Sequence, residues 1–156
     1  MNRKRVFELL ESPYTPYIFV ESIYVIVAIV FNIKLSYINK LLNKNFDVDR
    51  MIVQKDVTIA TDVMSFNHNT SWNYLLWGVL LIIIGFAIPI ISASLNKLSY
   101  KREEIKGGIM MIICAMIIVN IMIIISISKA LLSPIIIATL ILCAIGTLFA
   151  FGSSQS

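Results

Sequence analysis

The amino-acid sequence predicts an all-α integral membrane protein, a four-transmembrane-helix bundle with a β-rich polar loop between helices 1 and 2. Hydrophobic residues make up 58% of the 156-residue chain and charged residues only 14%, whereas a soluble domain is nearer half apolar and a quarter charged. Four apolar runs are each about 20 residues long, which is the length that a helix needs to cross a hydrocarbon core about 30 Å thick. We therefore expect a single membrane domain over residues 1–156.

The first span is predicted at residues 14–34, after a basic segment, residues 2–11, that suits a short amphipathic turn on the lipid headgroups. Glu21, Ala28 and Asn32 fall within about 40° of arc on one face of this helix, which should point into the protein. A charge at membrane depth costs at least about 2.5–3.5 kcal/mol, so Glu21 must be paired, protonated or near an aqueous edge. In one interpretation, Glu21 belongs to an ion or proton pathway or forms a salt bridge with a partner. In the other, it lies near enough to the helix start for water or the basic amino terminus to reach it.

The polar loop is predicted at residues 44–72, because the helical pattern of the first span persists to about Asn43. Its middle is rich in β-branched residues, and Val57 and Ile59 alternate with polar or small side chains, which predicts one or two short strands. His68 is the only histidine of the chain. Since a metal site needs clustered ligands, we expect His68 to form hydrogen bonds within the loop.

The second span is predicted at residues 73–95, where Gly78, Gly85, Pro89 and Ser92 lie on one helical face. Small residues on a face let another helix backbone approach closely. Pro89 is predicted to kink the helix, and a neighbouring helix or water must then satisfy the carbonyl group that the proline frees.

The third span is predicted at residues 107–128, with Asn120 as the strongly polar residue near its middle. An asparagine amide in hydrocarbon seeks a partner on another helix, in a bond worth about 0.6–2 kcal/mol. Asn120 is therefore expected to hold helices together or, alternatively, to line a pore or bind a substrate.

The fourth span is predicted at residues 131–152, separated from the third only by Lys129 and Ala130, so that the two helices form a tight antiparallel hairpin. Thr139 and Gly146 belong to a ridge of small residues that predicts another packing face.

Basic residues near the span ends indicate the orientation. With the amino terminus inside, the cytoplasmic segments hold seven basic residues, three in the amino-terminal tail and four in the loop after span two, against six on the other side. Charges far from span ends count less, which favours a multi-pass protein of the cell membrane with both termini in the cytoplasm, although Lys34, Lys40 and Lys44 argue for the opposite orientation.

The sequence has no phosphate-binding glycine loop, metal-ligand spacing, paired carboxylates or nucleophile elbow, so no enzyme activity, cofactor, metal site or nucleic-acid partner is predicted. Heavy use of Ile, Asn and Lys indicates a microbial genome rich in A and T.

Two functions remain open. One is a non-catalytic subunit or accessory scaffold of a larger membrane complex, with other membrane subunits and the lipid bilayer as partners. The alternative is a small homo-oligomeric channel or transporter in which Glu21, Asn32 and Asn120 line the pathway.

Overall fold

The computed structural model describes residues 12–99, 103–132 and 134–153, and almost all of them are helical. The helices in these stretches are α1 (Thr15–Asn45), α2 (Val48–Gln54), α3 (Val57–Ser99), α4 (Glu103–Leu131) and α5 (Pro134–Ser153). Three of them, α1, α3 and α4, are long and apolar enough to cross a membrane. The all-helical class and the helices of the first three predicted spans are therefore confirmed. The predictions for residues 2–11 and for two of the four basic residues in the loop after span two, Lys101 and Arg102, lie outside the described residues.

Helix α1 extends well beyond the length that a bilayer requires. Its 31 residues span about 46 Å at 1.5 Å per residue, so its end at Asn45 agrees with the predicted extension to about Asn43. Side chains three, four or seven residues apart along this helix are buried, which gives it one inward face. The buried side chains are those of Tyr17, Tyr24, Ala28, Leu35, Ile38, Asn39 and Leu42.

The predicted β-rich loop is wrong, because residues 48–54 and 57–65 are helical and no strand occurs among the described residues of this segment. Two aspartates supply the amino-terminal caps that start these helices. The Asp47 carboxylate accepts a hydrogen bond from the backbone N–H of Arg50 at 2.9 Å, and that of Asp56 accepts one from the N–H of Thr58 at 3.0 Å.

Packing explains why this segment is helical in spite of its β-branched residues. Met51 of α2 is fully buried, and so are Ala60 and Val63 of α3, with Met64 nearly so. The spacing of three and four residues between Ala60, Val63 and Met64 is helical rather than alternating. Intrinsic preference for strand is weak and depends on context, so burial on one helical face overrides it.

Helix α3 is interrupted at residues 66–69, where its backbone leaves the helical range. Asn67, His68 and Asn69 have positive φ angles of 45°, 57° and 65°, a conformation that Asn and His adopt more readily than most residues. The hydroxyl of Thr70 donates to the carbonyl of Asn67 at 2.6 Å. The break in backbone angles therefore lies here, and Pro89, where a kink was predicted, is not among the residues with non-helical angles.

The fourth predicted span corresponds to α5, a helix of 20 residues. It starts at Pro134, as a proline can in the first helical turn. Lys129 and Ala130, which were predicted to form the turn before it, are still part of α4, since that helix ends at Leu131. The carbonyl of Ser128 accepts a hydrogen bond from the N–H of Leu132 at 2.9 Å.

The chain divides into two compact units. Unit 1 comprises Met1–Val30 and Leu81–Ile125, and unit 2 comprises Phe31–Leu80 and Ser126–Ser156. Each boundary falls inside a long helix, whereas domain boundaries ordinarily fall in linkers, so the prediction of one membrane domain stays a prediction. In unit 1 the core is built around Tyr17, Ile109, Ile113 and Met116. In unit 2 the largest fully buried side chains include those of Leu35, Leu42, Met51, Leu131 and Ile135.

Candidate functional site

The centre of unit 1 is a hydrogen bond between Asn120 of α4 and Gly85 of α3. The side-chain amide nitrogen of Asn120 donates to the carbonyl oxygen of Gly85 at 3.0 Å, and Asn120 is 2% exposed. In an α-helix the carbonyl of residue 85 would accept the N–H of residue 89, but Pro89 has no N–H. Asn120 therefore satisfies the carbonyl that Pro89 frees. Gly85, Pro89 and Asn120 also line an apolar cavity of about 260 Å³.

Gly85 gives α1 close access to the same point of α3. A Cβ atom at this position would collide with the hydroxyl of Tyr24 and approach Cδ1 of Ile124 to 3.2 Å. The Tyr24 hydroxyl donates to the carbonyl of Leu81 at 3.3 Å. The absence of a side chain at residue 85 thus allows a tyrosine of α1 to hydrogen bond to the backbone of α3.

Glu21 lies one helical turn before Tyr24, and its carboxyl group faces the side chain of Asn120. Both carboxylate oxygens of Glu21 are buried, as is the carbonyl oxygen of the Asn120 amide, and none of these three oxygens has a hydrogen-bond partner in the described part of the chain. A buried acceptor without a donor is costly in an apolar environment. Glu21 also borders an open apolar groove of about 480 Å³ that includes Met116 and Val119 of α4.

Asn32, the third polar residue of the predicted pathway, belongs to unit 2, whereas Glu21 and Asn120 belong to unit 1. The amide nitrogen of Asn32 donates to the hydroxyl of Ser126 of α4 at 2.5 Å. The structure therefore brings Glu21 and Asn120 together and gives Asn32 a different partner.

The small residues singled out in the sequence have different surroundings. At Gly78, which is buried, an added Cβ would lie 2.6 Å from Cδ1 of Leu131, whereas at Gly146 it would meet nothing within 4 Å. The hydroxyl of Thr139 donates to the carbonyl of Ile135 at 2.9 Å and lies 3.5 Å from the sulfur of Met64. Gly78 and Thr139 therefore pack inside unit 2, and Gly146 is open.

Sequence reasoning missed Asn39 and Asn96, which form interhelical hydrogen bonds of the same kind. The amide of Asn39 donates to the carbonyl of Ala130 at 2.6 Å, and that of Asn96 to the carbonyl of Lys106 at 3.2 Å. Asn39 lies seven residues after Asn32, a spacing that keeps both on one helical face and could have identified it. The sequence around Asn96 does not distinguish it from a residue of the loop that follows span two.

The helices and their hydrogen bonds define a helical protein with three helices able to cross a membrane, in which asparagine side chains join one helix to another. Comparisons with protein-family models, with curated proteins and with solved structures found no match. Among the residues that the structure describes, no three His, Cys, Asp or Glu side chains are grouped closely enough to hold a metal ion.

Proposed function

We propose that this chain is a non-catalytic integral membrane subunit or accessory protein of a larger membrane complex. The observation that carries the proposal is an exposed apolar face on α5. Leu140 on this face is 62% exposed, and Cys143, Ala144 and Gly146 are exposed as well. The small residues of this face would allow another helix to approach closely.

The surroundings of this face favour a protein partner. Ile52 and Lys55, from α2 and the residue that follows it, border a groove of about 430 Å³ together with Ile137, Leu140 and Ile145 of α5. Beside this apolar groove α2 presents charged side chains, those of Asp49 and Arg50, which are exposed. A partner subunit seated in this groove would cover the apolar side chains of α5 and leave the charged side chains of α2 in contact with water.

The polar side chains of the long helices support a structural role. In unit 1 the amides of Asn96 and Asn120 donate to backbone carbonyls of a neighbouring helix, and in unit 2 the amides of Asn32 and Asn39 bond to α4. Such bonds are the usual means by which polar residues stabilise helix association in membranes.

We further propose that α5 is a fourth membrane span, which completes a four-helix bundle in the cell membrane with both termini in the cytoplasm. Its 20 residues reach about 30 Å, the thickness of a hydrocarbon core, and they include no charged side chain. This arrangement requires α2, which packs beside the first part of α5, to lie at the level of the headgroups.

A photo-crosslinking amino acid placed at Leu140 tests the partner. In native membranes we expect it to form a covalent adduct with a different membrane protein, because Leu140 faces outward. The matched control is the same amino acid at Ile135, which is fully buried and should yield no adduct with another protein. Adducts formed only with lipid, or only with a second copy of the chain, would contradict the accessory role.

A second candidate function, a small homo-oligomeric channel or transporter, is favoured by one observation. Glu21 and Asn120 present three buried oxygen atoms that lack donors, and a proton or a small cation would supply the missing positive charge. On this account Glu21→Gln abolishes cation flux into proteoliposomes and leaves the mass of the particle unchanged. Absence of flux in the wild-type protein rejects the channel or transporter.

A further inference from the structure

A polar pocket in unit 2 lies among the side chains near the end of α1 and the end of α4. Its volume is about 730 Å³, and its polar lining includes Ser36, Tyr37 and Lys40 of α1 and Ser126 and Lys129 of α4. Ser36 and Lys40 are one turn apart on one face of α1, and Ser126 and Lys129 are likewise one turn apart on α4. Two basic side chains therefore border one pocket from different helices.

The positive charge of this pocket is not neutralised by any carboxylate in its lining. Within the ranges that the structure describes, the recorded ion pairs are Arg50 with Asp56 and Lys106 with Glu103, so Lys40 and Lys129 belong to neither. The pocket thus offers two ammonium groups together with the hydroxyl groups of serine and tyrosine, all of which can donate hydrogen bonds.

One group that would oppose an anion near this pocket, a backbone carbonyl at the end of α4, is already engaged. The carbonyl of Ala130, which also borders the pocket, accepts a hydrogen bond from Asn39 at 2.6 Å. The amide of Asn32 donates to the Ser126 hydroxyl oxygen at 2.5 Å. Because the hydroxyl group is the acceptor in this bond, its own proton points away from Asn32 and is available for donation to another acceptor. The negative end of the α4 dipole is therefore partly compensated at the pocket.

The position of the pocket along the helices matches the headgroup region of a bilayer. Lys40 comes after the apolar run of α1, and Lys129 ends the apolar run of α4. Basic residues at the ends of membrane spans ordinarily lie at this level, where they meet the phosphate groups of lipids.

We propose that this pocket binds a phosphate group through Lys40 and Lys129. The group belongs either to the headgroup of an anionic lipid or to a free phosphate ion or ester, and both offer the same oxygen acceptors to the two ammonium groups. The inference stands on the pocket alone and does not depend on the proposed function.

The lipid source is tested with the purified full-length protein in mild detergent, by native mass spectrometry with added phosphatidylglycerol or phosphatidylcholine of identical acyl chains. We expect the wild-type protein to prefer phosphatidylglycerol. The double variant Lys40→Gln/Lys129→Gln should bind it about thirtyfold more weakly, since each of the two basic residues near a membrane surface contributes to anionic lipid binding. Lys44→Gln is the matched control, because Lys44 is exposed on α1 and does not line the pocket.

The free-ion source is tested by calorimetric titration of the same proteins with inorganic phosphate and with glycerol 3-phosphate. The pocket is assigned to a free phosphate if the double variant loses phosphate binding, the Lys44→Gln variant keeps it, and the wild-type protein shows no preference for phosphatidylglycerol. Both lysine side chains are exposed, so the variants should keep the wild-type circular dichroism spectrum, and single substitutions should each remove part of the binding. If all these proteins bind both lipids equally and phosphate binding does not depend on either lysine, the proposal is wrong.

Discussion

Asn120 hydrogen bonds to Gly85, whose carbonyl oxygen lacks a helical partner because residue 89 is proline. The donor and acceptor are 3.0 Å apart and come from α4 and α3. A proline in a membrane helix is tolerated when a neighbouring helix supplies the missing donor. This pair therefore explains both why Pro89 does not interrupt the backbone angles of α3 and why an asparagine is acceptable in the middle of α4.

Asn120→Leu should lower the free energy of unfolding by about 0.6–2 kcal/mol, the range measured for interhelical hydrogen bonds in membranes. The leucine keeps a similar volume but leaves the Gly85 carbonyl without a donor. Unfolding of the purified protein in mixed detergent micelles, followed by circular dichroism, measures the change.

The control for this prediction is the same substitution in a Pro89→Ala background. Alanine restores an N–H group at residue 89 that can bond to the Gly85 carbonyl, so Asn120→Leu should cost less there, with a coupling of at least about 0.5 kcal/mol. Additive effects of the two substitutions would show that Asn120 does not serve the carbonyl freed by Pro89.

Gly85→Ala should destabilise the protein by about 1–3 kcal/mol, the usual cost of overpacking, because the new methyl group would collide with the Tyr24 hydroxyl. Gly146→Ala is the matched control, since a Cβ atom there meets nothing within 4 Å. It should leave stability unchanged or raise it by up to about 1 kcal/mol through helix propensity. Adding Tyr24→Phe to Gly85→Ala should recover part of the loss. Equal effects of the two glycine substitutions on thermal unfolding would contradict the close approach of α1 to α3.

Because α3 is interrupted at residues 66–69, we expect two substitutions of His68 to change the free energy of unfolding in opposite directions. Its φ angle is 57° and its side chain is exposed, so His68→Gly should maintain or raise the free energy of unfolding, since glycine adopts this conformation freely. His68→Val should lower it by about 1–2 kcal/mol, because a β-branched residue is strained there. If valine is tolerated and glycine destabilises the protein, this segment is a continuous helix.

The lengths of the apolar runs were sufficient to predict α1, α3 and α4, because a membrane helix requires about 20 consecutive apolar residues and little else. The loop before span two was wrong because alternation at Val57 and Ile59 was given more weight than the capping aspartates, Asp47 and Asp56. Burial of Ala60 and Val63 on one helical face depends on tertiary packing that a local pattern does not contain.

The candidate site could be predicted only in part. Pro89 frees the carbonyl of Gly85 and Asn120 needs a partner, and both needs are visible in the sequence. Gly85 and Asn120 are, however, 35 residues apart in the chain, and no local pattern pairs them. Asn32 and Asn120 were expected to share one pathway because both are polar residues in spans. Their partners, Ser126 and Gly85, lie on helices whose pairing and register the sequence does not specify.

The topology of α5 gives a further prediction. If α5 is a fourth span, single cysteines introduced near each end of the chain should both resist a membrane-impermeant maleimide in intact cells and react in inverted vesicles. A Cys114→Ala/Cys143→Ala background removes the two native thiols, which are exposed on α4 and α5. Labelling of the two ends from opposite sides would establish three spans and contradict the four-helix bundle.

The composition of the native particle tests the accessory-subunit proposal most directly. The protein is extracted from its own membrane in mild detergent, and the mass and the chains of the particle are determined. We expect unrelated membrane proteins in fixed stoichiometry with this chain, and loss of that stoichiometry when Leu140 on the exposed face of α5 is replaced by lysine. A particle that contains only copies of this chain, with or without the substitution, would contradict the proposal.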